Sequence, residues 1–169
     1  MSRAWVTLGA LAALGALALG CEGPEPGSRT FEAPAPAGFS LVSAVLEPRC
    51  GTLDCHGAPE RSLRVHGAYG ARLDGNDQPG GRGTTSAEIR ATWESVVAVD
   101  PEGLARPDRL DRWLVLSKGT AREAHEGGPA LPPGSDAERC VRSFAEGQID
   151  EAACAGDSYT ALPRPGETW

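Results

Sequence analysis

Apart from Met1 the sequence has no methionine, and Lys118 is the only lysine among its 16 basic Lys and Arg residues. The arginines form no run, and the formal charge is −7. Binding a phosphate backbone needs clustered Lys and Arg, so this balance argues against nucleic acid as a partner. Aromatic residues make up only 5% of the 169 positions, whereas Gly (22) and Pro (14) are abundant, the composition of a loop-rich chain. No Ser-His-Asp order, phosphate loop or paired-carboxylate pattern stands out, so catalysis is not expected. The length suits one domain with a real core and not two.

Met1–Gly20 holds Arg3 followed by an uncharged run rich in Leu and Ala, the pattern of a secretory leader and too short for a comfortable membrane span. Ala18-Leu19-Gly20-Cys21 is close to a lipoprotein processing site, which makes Cys21 the expected lipidation point. The expected location is therefore a bacterial cell envelope, lipid-anchored, on the outer membrane facing the periplasm. Residues 21–38 are Pro-rich and apolar-poor and read as an extended tether.

The folded domain is expected over 39–154, followed by an irregular tail over 155–169. Phe39, Val42, Val45 and Leu46 share one face of a helix capped by Ser40 and stopped by Pro48. Thr85-x-x-Glu88 opens a second helix with Ile89, Trp93, Val96 and Val97 inward, closed by Asp100-Pro101. Trp113–Leu116 suits a strand or a buried helical turn. Ser135-x-x-Glu138 opens a further helix with Cys140, Val141 and Phe144 inward and Gly147 at its end. The expected fold is mainly α, small and loop-rich.

The stretch with most chemistry is Cys50-Gly51-Thr52-Leu53-Asp54-Cys55-His56. Two thiols followed directly by an imidazole suit covalent attachment of haem c, with thioethers at Cys50 and Cys55 and His56 as the proximal iron ligand. The four-residue spacer is longer than the usual two. With no methionine beyond Met1, the candidates for a sixth ligand are His66 and His125, and an open sixth position would instead permit ligand sensing. His125 is favoured, because it lies in the loop His125-Glu126-Gly127-Gly128 while His66 follows the motif too closely to reach the opposite face. Cys140 and Cys154 most simply form a disulfide. Two other fates remain open for Cys50 and Cys55: a small-loop disulfide, or zinc bound with His56 and one further histidine.

The run Phe39–Cys50, continued by Cys55-His56-Gly57 and later by His125-Glu126-Gly127-Gly128, resembles the cytochrome c-like domains of planctomycete and myxobacterial envelope proteins. The resemblance implies a small helical fold around haem c with its first and last helices packed together. The expected function is a lipid-tethered electron-transfer module, an electron carrier rather than a catalyst, serving an unidentified redox protein. The alternative is a haem-free, disulfide-stapled lipoprotein with a binding or structural role.

Overall fold

The computed structural model describes residues 31–157; the expected leader Met1–Gly20, the expected lipidation point Cys21, the start of the expected tether and the tail from residue 158 lie outside the described residues. Among the described residues six helices occur in order: α1 (Phe39–Cys50), α2 (Ser86–Val99), α3 (Pro101–Leu104), α4 (Leu114–Gly119), α5 (Asp136–Ala145) and α6 (Glu151–Gly156). A 3₁₀ turn, Pro107–Arg112, joins α3 to α4, and no strand occurs among the described residues. The fold is mainly α and loop-rich, as expected.

The apolar face read for α1 is the buried one, with Phe39, Val42, Val45 and Leu46 all inside. Its ends differ from expectation. The helix starts after Gly38 without any side-chain cap, so Ser40 is a surface position within the first turn. Pro48 lies inside the helix rather than ending it. A proline costs most in a helix interior, where it removes a hydrogen bond and crowds the preceding turn. In the last turn that cost is small, and Gly51 N–H closes the helix by donating to the Leu46 and Glu47 carbonyls.

α1 packs against α2, α5 and α6. Phe39 and Phe144 meet edge to face with ring centres 4.9 Å apart, a geometry that suits the ring quadrupoles. Trp113 is fully buried just before α4, and its indole N–H has no partner among the described residues. The run after it is helical, because Asp100 accepts from both Gly103 N and Leu114 N and so starts α3 and α4 from one carboxylate. At α5, Ser135 accepts from Glu138 N. Glu138 pairs with Arg142 instead of completing the box.

The sequence reading missed α6, whose start is Asp150 accepting from Ala153 N. The helix runs through Gly156, so the irregular tail begins later than residue 155. Cys140 and Cys154 form the expected disulfide, tying α5 to α6. In the chain-entropy account a loop of this size gives about 3 kcal/mol. The tether boundary also moves: Phe31 packs on the core, and Trp93 Nε1 donates to the Pro34 carbonyl, so part of the Pro-rich segment lies on the domain.

Residues 57–85 carry no helix and are bound to α2 by side chains. Arg64 N and His66 N donate to Ser95 Oγ and Thr92 Oγ1. The expected capping box forms at Thr85 and Glu88, and Glu88 also takes a two-pronged contact from Arg72, both side chains being buried. Burial pushes the Glu88 carboxyl up, but bonds from Thr85, Arg72 and Leu73 outweigh it and hold the group below its ordinary value.

Three backbones meet where this loop passes the end of α1. A Cβ built on Gly57 or on Gly70 would lie 2.0 Å from the Gly51 carbonyl oxygen. Only glycine permits this approach, and the obstacle is backbone rather than a side chain that can swing away. Gly57→Ala or Gly70→Ala is expected to cost about 2–3 kcal/mol by overpacking, read as a lower denaturant midpoint. Gly75→Ala, with nothing near its would-be Cβ, is the control expected to show no such loss.

Candidate metal centre

The Cys50–His56 segment is a closed loop hung from the end of α1. His56 N donates to the Cys50 carbonyl at 2.8 Å, while Cys55 N and Gly57 N both donate to the Thr52 carbonyl at 2.9 Å. The long spacer is thus taken up by a turn that bulges outward, with Leu53 at 52% exposure. Its two ends stay together. Spatial placement of the cysteines beside His56 is set by these bonds and not by the residue count between them.

His56 Nδ1 lies 3.1 Å from the Leu63 carbonyl. A carbonyl only accepts, so Nδ1 carries the proton, and in the neutral ring Nε2 keeps its lone pair. Burial lowers the His56 pKa most; the Leu63 contact opposes that, and His125 and Arg61 lower it further. The ring is therefore held neutral, the form that binds a metal.

His125 makes the same kind of contact through Nδ1. It follows α4 in a tight turn where Gly128 N donates to the His125 carbonyl and His125 Nδ1 donates to the Gly128 carbonyl at 2.9 Å. Gly128 adopts a φ of 65°, and a Cβ at Gly127 would come within 3.2 Å of the ring. The two glycines thus serve the turn that orients the histidine. Neither ring's Nε2 is hydrogen-bonded among the described residues.

The planes of the two rings are parallel within 5°, and their centres lie 6.0 Å apart. A parallel pair at that distance is stacked, within the usual range for ring pairs. Both rings, with Cys50 and Cys55, line one cavity of about 430 Å³. Leu46, Leu63, Val99, Leu114 and Leu131 give it apolar walls, and its volume falls in the range of small-molecule sites, about 300–1,000 Å³. His66 does not line it; its Nδ1 is buried without a partner, beside α2.

Cys50 and Cys55 are free thiols. Burial pushes Cys50 up to about 12, opposed by Arg49 and reinforced by Cys55. With no metal beside it, this thiol stays protonated at neutral pH. No cluster of three or more His, Cys, Asp or Glu side chains able to hold a metal occurs among the described residues, so the four-ligand zinc set is not assembled. One cleft brings together two imidazoles, two thiols and apolar walls, the side-chain chemistry that a covalently attached haem would need.

Two contributors were not read from the sequence. Leu63 supplies the carbonyl that orients His56, and Lys118 joins the cavity wall from α4. Lys118 could have been singled out only as the chain's sole lysine. No family model, curated protein or solved structure matches the chain.

Two outcomes are expected of the reduced chain without cofactor. At pH 8, iodoacetamide should modify Cys55 while Cys50 stays unmodified until denaturant is added, as read by peptide mass mapping. The second concerns pH. Burial does most to lower the pKa of His66, as it does for His56; Arg64 lowers His66 further and Glu88 opposes. Folded values below the unfolded pKa of about 6.5 mean that this stability is complete above that pH and is lost as pH falls through the folded values. The melting temperature should drop between pH 7 and pH 5, and His66→Gln should shrink the drop.

Proposed function

We propose that the protein is a bis-histidine c-type cytochrome that carries single electrons, with haem joined at Cys50 and Cys55, His56 as the proximal ligand and His125 as the sixth. The paired imidazoles carry this reading. Each has its Nδ1 proton spent on a backbone carbonyl, and both rings line the cavity that Cys50 and Cys55 also line.

The haem supplies a one-electron couple, and the chain determines how that couple is held. The Leu63 and Gly128 carbonyls fix both ligand tautomers and raise their basicity. The apolar walls exclude water, which lowers the reorganisation accompanying electron transfer. Two imidazoles should give a lower potential than an imidazole and a methionine thioether. Electrons exchange with a partner redox protein, and lipid at Cys21 with the following tether would keep the module near the envelope membrane, raising its effective concentration there. The resemblance to cytochrome c-like envelope domains points the same way. The Cys140–Cys154 disulfide is common to this reading and to the haem-free, stapled one.

The test is coexpression with a cytochrome c maturation system, followed by intact mass and a pyridine haemochrome spectrum. One covalent haem is expected, low-spin in both oxidation states. His125→Ala should convert it to a high-spin spectrum, whereas His66→Ala should leave it unchanged. A chain with no Soret band and no added mass would overturn the assignment.

A further inference from the structure

The loop bearing His125 is held to the rest of the protein in an unusual way. Glu123 N donates to the Ser117 carbonyl, and Leu131 N donates to the Gly119 carbonyl, so both bases of the loop are tied to α4. Between them, residues 124–130 make hydrogen bonds to the remaining described residues at two points. Lys118 Nζ donates to the Ala124 carbonyl at 2.9 Å, and Arg49 Nη1 donates to the Ala130 carbonyl at 2.9 Å. Each end of the loop is thus clasped by one cation. Among the described residues, all other hydrogen bonds of the segment are internal: Gly128 N to the His125 carbonyl, Ala130 N to the Gly128 carbonyl, and His125 Nδ1 to the Gly128 carbonyl.

The two sets of bonds do different work. The internal set fixes the His125 ring relative to its own loop. The clasps fix the loop relative to the cavity, and therefore the ring relative to His56. Arg49 is deeply placed and committed to Asp157 through Nε and Nη2. Lys118 is different. Its side chain is 37% exposed, it also pairs with Glu123 at 3.3 Å, and its stem lines the same cavity as His125. The carbonyl it holds belongs to the peptide unit whose N–H is that of His125 itself.

We infer that Lys118 is the positioning residue of the sixth-ligand site: its ammonium group seats the loop residues 124–130, and release of that clasp lifts His125 away from the position opposite His56. The inference rests on the bis-histidine reading above. A lifted loop leaves His125 correctly oriented within its turn but out of reach, which opens that position to a small neutral ligand. Lys118 thereby sets how exchangeable the sixth ligand is, without touching the metal.

The experiment has one arm that needs haem and one that does not. In the haem-loaded, ferrous protein, carbon monoxide serves as the probe, and its binding rate at saturating gas is limited by departure of His125. Lys118→Met, which keeps the stem and removes the donor, is expected to raise that limiting rate about tenfold, and Lys118→Arg to restore it to within about twofold of the native chain. In the unloaded chain, amide exchange at His125–Gly128 should rise about tenfold in Lys118→Met while exchange in α1 and α5 is unchanged. Unaltered carbon monoxide kinetics and unaltered exchange would overturn the inference. If the native chain takes up no haem, the functional reading falls, and the exchange arm alone decides whether Lys118 seats the loop.

Discussion

The site depends on a place where side chains are absent. Gly51, Gly57 and Gly70 bring three backbone segments into contact at the end of α1. At the same place His56 N donates to the Cys50 carbonyl. This contact fixes His56 beside the helix end, turns the long spacer outward and starts the passage of residues 57–85 toward α2. A side chain at any of the three would collide with backbone there and disturb the start of the segment that carries His56.

A chain with few aromatic residues has a modest core for its length, and long loops must be secured by other means. Here cations secure them. Arg72 draws residues 67–84 onto Glu88 and the carbonyls of Arg82 and Gly83; Arg49 joins α1 to Asp157 and Ala130; Lys118 holds Ala124. Donation from a charged group to a carbonyl or carboxylate is stronger than a neutral hydrogen bond, and a partly buried position limits its screening. The Arg72–Glu88 pair is nearly dry on both sides, so losing one partner would leave an uncompensated charge inside.

What was legible in the sequence follows from the range of the interaction concerned. The Thr85–Glu88 box and the buried face of α1 are local patterns and stand as read. Pro48 misled because a proline's penalty depends on how much helix remains after it, which depends on where Gly51 closes the turn. α6 escaped notice, although Asp150-Glu151 before an alanine-rich run is a fair start signal. His125 was distinguishable from His66 by its glycine-flanked loop. Its pairing with His56 was not, since the two rings come from segments far apart in the chain. Nor could composition show that the spacer would fold into a turn with Leu53 exposed and Asp54 on the cavity wall.

The burial of Cys50 also bears on the order in which the protein is made. In the folded chain its sulfur is enclosed at the end of α1 and remains protonated to about pH 12. A maturation enzyme acting on the folded chain would meet a thiol that is largely covered and hard to ionise. On the proposed reading, thioether formation at Cys50 belongs to a stage at which α1 has not yet docked, so folding must wait for attachment, and a chain that folds first is a dead end in assembly. The interval between export and folding then becomes a quantity on which the yield of the finished protein depends.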